Sequence, residues 1–518
     1  MQPLSQEQSI KLKPTLLALG AAAALGAASS AHAIAYFGEG ESGDTGTRVS
    51  VQPNGIGQAL IMPYFNAQGG TVTAFNITNF SYGSYGSGKA VRVHVRGAAN
   101  GDRLLSFTVF LAPGSVWTAE ITRGANGLPR IKGSNNACTF IKDGGMYGGL
   151  DTSFVTTELA PYISDAAKAK HAGEGYIEII NMADITGAAL DDLKNGNCAA
   201  LNNNLMNTTE PVNKATAIAA GLASPSGTLM GNWYIINQTN WSAFSGAMTA
   251  IDVDGRSYIR FAPNYDDIGG SASGWAAQFA GCNWSPCVPT VNSKGLSADV
   301  LGVTDWSQVP DLSTPLIPAF GTPQKQVEAI AKQMERSETV NDYVSEPNGS
   351  VPMLTDWVMS HPLRRFAGAV DYGSAASAAQ VKRDSSRAIP AYGLISLATP
   401  VAEMGPVACN GDPIGPSEPT NGGRFVFASR DGNYTDRSVK VEENCGAVFT
   451  LGFADASPMS AIVGRAVVEP PAAAGWLRWQ TYDGESVDVP VTGFAVFSAK
   501  NEASRITYAT TWPHRHPR

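Results

Sequence analysis

The stretch Ala90-Val-Arg-Val-His-Val-Arg96 decides the fold. Val91, Val93 and Val95 alternate with Arg92, His94 and Arg96, and a period of two puts the valines on one face of a strand and the polar side chains on the other. The pattern predicts a strand with its valines buried and its arginines and histidine in water. Its neighbours follow the same rule. Residues 59–65 and 71–78 are apolar runs split by Gln68-Gly69-Gly70, which reads as a hairpin, and 104–112 and 116–121 flank the turn pair Pro113-Gly114.

Further strand patterns cover 176–180, 229–237, 247–253 and 257–261, and later 425–428, 439–441, 448–453, 461–468, 476–480 and 487–497. Residues 159–170 and 212–223 have helix-friendly composition. Residues 289–323 are rich in Pro and Ser, and Thr322-Pro323 then opens a helix in which Val327, Ile330, Ala331 and Met334 share one face. The expectation is an all-β, mainly antiparallel protein with two β-sandwich-like regions and a minor helical insertion. Its parts are a signal peptide (1–33), an N-terminal β-rich domain (34–288), a connector (289–394) with a helix near 323–336, and a C-terminal β-rich domain (395–518).

The first residues set the expected compartment. Lys11 and Lys13 precede an uncharged Leu/Ala/Gly run over 16–28, and Ala31-His32-Ala33 is a small-x-small cleavage site, the layout of a secretory signal peptide. No later segment is long and apolar enough for a membrane-spanning helix. No Cys follows the cleavage site to carry a lipid, and the irregular strands, long loops and Pro517-Arg518 ending do not suit an outer-membrane barrel. The expected location is the cell surface or the medium, with the periplasm as an alternative.

Charged residues are 15% of the chain and the net charge is −8, so no basic cluster is present to engage nucleic acid. Low charge with 55 glycines suits a β-rich surface protein whose faces are partly covered by neighbouring copies, and equally a secreted sandwich with few charges. Cys138, Cys198, Cys282, Cys287, Cys409 and Cys445 form an even set that reads as disulfides in an oxidising compartment. Proximity favours Cys138–Cys198, Cys282–Cys287 and Cys409–Cys445, and zinc is the competing reading of the Cys282/Cys287 pair.

Catalytic signatures are sparse. There is no His-Glu-x-x-His motif and no Gly-x-Ser-x-Gly elbow, although a Ser-His-Asp set could be assembled from distant positions. Gly83-x4-Gly88-Lys89 resembles the start of a phosphate loop, but Ala90 replaces the magnesium-binding hydroxyl and a hairpin tip is the preferred reading. Asp252 and Asp254, with Asp266 and Asp267, offer oxygen ligands on turns and make calcium the one possible cofactor. His514 and His516 read as surface residues near the C-terminus. Trp284, Trp306, Trp357, Trp476 and Trp479 are candidate stacking faces, set against the usual place of Trp in a β core.

Several segments resemble a group of Gram-negative proteins described as cell surface proteins. They are Leu60-Ile-Met-Pro-Tyr-Phe65, Thr73-Ala-Phe-Asn-Ile-Thr-Asn79, Ala90 to Arg96, Phe110-Leu-Ala-Pro-Gly-Ser-Val-Trp117, Ala137-Cys-Thr139, Leu229 to Asn237, Thr355-Asp-Trp-Val-Met359, Pro362 to Phe366, Val491-Thr-Gly-Phe-Ala495 and His514-Arg515. The composition is also similar to that of surface-layer proteins that sheathe tubular membrane extensions called nanopods. The resemblance implies no catalytic residue. It implies a secreted, self-associating structural protein whose partners are its own copies and outer-membrane surface components. An extracellular adhesin or carbohydrate-binding module is the alternative, and an extracellular hydrolase the third reading.

Overall fold

The computed structural model describes residues 45–83, 86–98, 101, 103–141, 149–153, 169, 172–206, 214–239, 241–261, 310–320, 323–364, 368–371, 379–382, 421–440, 447–457, 465–480, 482–483, 485–486, 489–501 and 506–517. Two antiparallel sheets form a first sandwich. The first sheet runs in the order β1 (Val49–Gln52), β15 (Thr249–Val253), β3 (Ala59–Asn66), β11 (Glu174–Ile185), β5 (Gly88–Gly97), β6 (Arg103–Leu111) and β9 (Cys138–Phe140), with β12 (Leu222–Ala223) on the end of β11. The second runs β10 (Asp151–Ser153), β8 (Pro129–Gly133), β7 (Val116–Arg123), β4 (Thr71–Asn79), β13 (Leu229–Asn237) and β14 (Ser242–Ala247), with β2 (Ile56–Gly57) against β13.

The expected hairpin across residues 68–70 is instead an arch, because β3 and β4 belong to different sheets. Gly69 and Gly70 adopt left-handed φ angles of 56° and 79°, and the Asn66 amide donates to Thr73 Oγ1 at 2.9 Å, which turns the chain through the thickness of the sandwich. The Pro113-Gly114 turn likewise carries the chain from β6 in one sheet to β7 in the other. Alternation looks the same in both cases, since it reports which side is buried and not which neighbour is hydrogen-bonded.

Val91, Val93, Val95, Ile177 and Ile179 of the first sheet meet Phe75, Trp117, Trp233 and Ile235 of the second. Trp117 lies edge-on to Phe75 at 5.9 Å, and a Cβ on Gly133 would come within 2.5 Å of its indole, so the glycine makes room for the ring. The opposite face of the first sheet is also covered. Helices α1 (Gly187–Lys194), α2 (Cys198–Leu201) and α3 (Lys214–Ala219) lie among residues that pack with Ala90, Phe110, Met182 and Ile185. At the other end α4 (Pro323–Met334) sets Val327, Ile330, Ala331 and Met334 against Ala59, Ile61, Ile251 and Val253. This amphipathic helix matches the predicted one and stops where β16 (Glu335–Arg336) pairs with β28 (Val489–Pro490). Residues 257–261, read as a strand, instead make single bonds to separate segments, Tyr258 to the Leu316 carbonyl and Arg260 to that of Met182.

The second sandwich is a sheet folded on itself. One layer is β22 (Tyr434–Lys440), β21 (Asn421–Ser429), β25 (Ala474–Gln480) and β17 (Glu338–Glu346). The other is β30 (Ile506–Pro513), β29 (Thr492–Asn501), β18 (Met353–Ser360), β23 (Val448–Gly452) and the parallel β24 (Arg465–Val467). Tyr343, Phe425, Phe427, Leu477 and Trp479 face Trp357, Met359, Phe449 and Leu451 across the core. Two ribbons, β19 (Gly368–Asp371) with β20 (Ala379–Lys382) and β26 (Tyr482–Asp483) with β27 (Glu485–Ser486), complete the described strands.

Strands β17 and β18 fall inside the range expected to be a connector. The buried positions Thr339 and Asn341 of β17 are polar, so its inward face carries little of the apolar periodicity that marks a strand. The two sandwiches share core residues. Phe494 of β29 sits 4.5 Å from Trp233 and 6.5 Å from Tyr64, and the Val448 amide donates to the Ala98 carbonyl at 3.0 Å.

Candidate functional site

The polar face of β5 is not in water, because Arg92, His94 and Arg96 are all 0% exposed. The segment 310–320 and the helices cover it, and the polar alternation carries no signal of that cover. The His94 ring is held between two oxygens, Nδ1 at 2.9 Å from Ser106 Oγ and Nε2 at 2.8 Å from the Pro310 carbonyl. Arg96 Nε lies 3.2 Å from Glu178 Oε2, and its guanidinium approaches Asp311 at 4.0 Å. Arg260 donates to the Asn181 carbonyl at 2.7 Å, and burial brings its pKa down to about 9 against the pull of Asp311.

Among the described residues, this layer contains a Ser-His contact, Ser106 with His94, the pairing a hydrolytic set would need. Two features oppose that chemistry. The serine sits at Nδ1, the nitrogen that meets the carboxylate in a triad, and Nε2 faces a backbone carbonyl instead of a serine hydroxyl. Burial, together with the Arg96 and Arg92 cations, holds the imidazole pKa well below its ordinary value, so His94 is a poor proton acceptor at neutral pH.

Lys89, the end of the apparent phosphate-loop motif, is committed elsewhere. Its Nζ lies 2.6 Å from Asp184 Oδ1, 3.0 Å from Ser87 Oγ and 2.5 Å from Ser226 Oγ. Both serines donate to Asp184 Oδ2 at 2.7 Å, and Asn181 donates to Oδ1 at 3.0 Å. Burial lowers the lysine pKa while Asp184 raises it. The node joins β5, β11 and the loop before β13.

Of the calcium candidates, Asp252 and Asp254 lie among the described residues and engage different neighbours. Asp254 accepts from the amides of Thr47 and Arg48 at 2.7 and 2.9 Å and from the Thr47 hydroxyl at 2.9 Å, pinning the chain just before β1. Asp252 packs where a Cβ on Gly227 would approach its carboxylate at 2.1 Å, and burial raises its pKa to about 6. Asp266 and Asp267 lie outside the described residues. Among the described residues no group of three or more His, Cys, Asp or Glu side chains is placed to hold a metal.

Cys138 and Cys198 form the disulfide that proximity favoured, tying β9 to α2. Cys282, Cys287, Cys409 and Cys445 lie outside the described residues. His514, read as a surface residue, is buried. Its Nε2 lies 3.0 Å from the Val358 carbonyl, Asn341 Nδ2 lies 3.2 Å from its Nδ1, and burial lowers its pKa to about 3. His516 is half-buried against the Glu338 carbonyl at 3.1 Å. Flanking prolines suggested an exposed end, but the bridge between Val340 and Arg515 draws these residues into the sandwich.

The tryptophans separate clearly. Trp357 and Trp479 are core residues, Trp284 and Trp306 lie outside the described residues, and Trp476 stands half-buried on the outer side of the second sandwich. Two sheet faces are uncovered by other described elements. One is the outside of β7, β4, β13 and β14, where the cross-strand rows include Ala74, Tyr234 and Ser245, and Val72, Ile236 and Ala243. Glu120 is the one charged side chain among the alternating outward positions of those strands. The other is the outside of β22, β21, β25 and β17, which carries Tyr434 and Trp476. Tyr234 and Ile236 were legible in principle, because once Trp233 and Ile235 face inward their neighbours must face out.

Comparison with protein-family models, curated proteins and solved structures finds no match for this chain. The functional reading rests on the sequence and on these surfaces.

Proposed function

We propose that this chain is an exported structural protein of the cell surface that associates with copies of itself through the outer face of β7, β4, β13 and β14. The observation that supports this most is the absence of charged side chains on the β4, β13 and β14 rows of that face, bordered by Glu120 of β7 and by Arg130 and Lys132 of β8, in a chain of net charge −8. Two such faces meet with little charge to desolvate and little repulsion despite the chain's net negative charge. Tyr234 and Ile236, 47% and 41% exposed, supply apolar area at its centre, and Trp241 stands 73% exposed at the tip of the β13–β14 hairpin. The signal-like N-terminal segment and the resemblance to cell surface proteins support the same reading.

The test is the chain from Ile34 onward, concentrated and followed by analytical ultracentrifugation and negative-stain electron microscopy. The wild type is expected to form ordered assemblies. Tyr234→Lys with Ile236→Lys is expected to leave monomers with an unchanged circular dichroism spectrum, because both side chains point outward. Monomeric wild type at every concentration, or assemblies that tolerate the paired lysines, would overturn the reading.

A further inference from the structure

We infer that the outer face of β22, β21, β25 and β17 is a binding site for a neutral polysaccharide chain built of pyranose rings. The site follows from the alternation in β25, where Leu477 and Trp479 enter the core and Trp476, Arg478 and Gln480 point out. Tyr434, Ala428, Trp476 and Asp342 stand side by side in the register of the four strands. With strands about 4.8 Å apart, that row crosses roughly 14 Å, the scale of a short oligosaccharide. Ala428 is small enough for the two rings to close over it, and they meet at 5.9 Å with 72° between their planes. The result is an aromatic corner, with Tyr434 69% exposed.

A sugar ring has an apolar C–H face and a hydroxylated rim, so it needs aromatic surface flanked by planar polar groups. Both are present. Arg478 lies over the Trp476 ring at 6.0 Å, and beside it Gln480 donates to Glu338 at 2.7 Å. The charge arrangement selects the neutral class. Among the described side chains, Arg478 faces Glu338 at 3.6 Å and Arg515 faces Asp342 at 3.7 Å, so these two cations already have carboxylate partners and do not form a focus for an acidic sugar. These polar groups remain partly exposed, with side-chain exposures of 40% for Arg478 and 53% for Asp342, so they can reach ligand hydroxyls. The site does not depend on self-association, since it lies on the other sandwich, and it would give a chain with no membrane-spanning helix among its described residues a means of holding to a cell-surface glycan.

The experiment measures binding of cellohexaose, chitohexaose and maltoheptaose to the full chain by isothermal titration calorimetry, with affinity gels as a second readout. At least one probe is expected to bind, with affinity weakened tenfold or more by Trp476→Ala and also by Tyr434→Ala. Tyr434 is highly exposed, so its substitution leaves a folded test protein even if the tryptophan variant is destabilised. The Tyr234→Lys, Ile236→Lys protein is expected to retain wild-type binding, which keeps this result distinguishable from a failure of self-association. No binding of any probe to the wild type, or binding unchanged by both alanine substitutions, would overturn the site.

Discussion

The two sandwiches treat the outside of a sheet in opposite ways. In the first, helices and the segment 310–320 close over a sheet whose outward residues include Arg92, His94, Arg96 and Glu178, so charge is locked into the interior. In the second, the layer led by β25 leaves Trp476, Arg478 and Asp342 at the surface. The difference separates charge that holds the fold together from charge that can meet a ligand. Buried ions must be matched in place because an unpaired one costs several kcal/mol, whereas exposed pairs contribute little to stability and can be used for recognition.

The largest expected effect tests this directly. Asp184→Ala leaves the fully buried Lys89 amine without its carboxylate and is expected to cost about 3–5 kcal/mol in urea unfolding. Asp342→Ala, which removes the partner of an exposed Arg515, is expected to change stability by less than about 1 kcal/mol. Similar losses in the two variants would break the comparison.

The next effect is an acid response from the second sandwich. His514 has its pKa lowered to about 3, so below the ordinary value near 6.5 the unfolded chain takes up a proton that the folded chain refuses. The stability from this group is complete above about pH 6.5 and falls by roughly 2–3 kcal/mol by about pH 4.5. His514→Gln is expected to flatten that part of the stability profile, and a wild-type slope in the variant would assign the acid response elsewhere.

The smallest effect has the opposite sign. Asp252 has its pKa raised to about 6, so the folded chain holds a proton that the unfolded chain releases from about pH 3.8, and stability declines as pH rises through 6. Asp252→Asn removes that decline and is expected to stabilise the protein at pH 7.5 by about 1 kcal/mol, a figure reduced for partial solvent access. Thermal melts from pH 4 to 8 would show it, and an unchanged slope would remove Asp252 as its source.

Much of the fold was legible because alternation and turn residues are local. The valines of β5, the span of β13 and the apolar face of α4 all followed from spacing alone. The arches after β3 and β6 were not legible, since a ladder partner leaves no mark on one strand's own sequence. Neither was the burial of Arg92, His94 and Arg96, which depends on a segment more than two hundred residues later, as the bond between His94 and Pro310 shows. The candidate surfaces were half legible. Trp476 was one of five tryptophans on offer, and only the inward placement of Leu477 and Trp479 sets it apart.

The pairing of β1 with β15 joins Val49 to Val253, and β4 meets β13 from Thr71 to Asn237. The second sheet of the first sandwich cannot complete its ladder until the chain is synthesised to residue 247, nor the first until residue 253. Topology of such high contact order folds slowly, because loop-closure entropy is spent before the long-range contacts form. During that interval the newly made chain presents open strand edges and lacks a finished core, so its unpaired strands stand open to other chains until the last partners arrive.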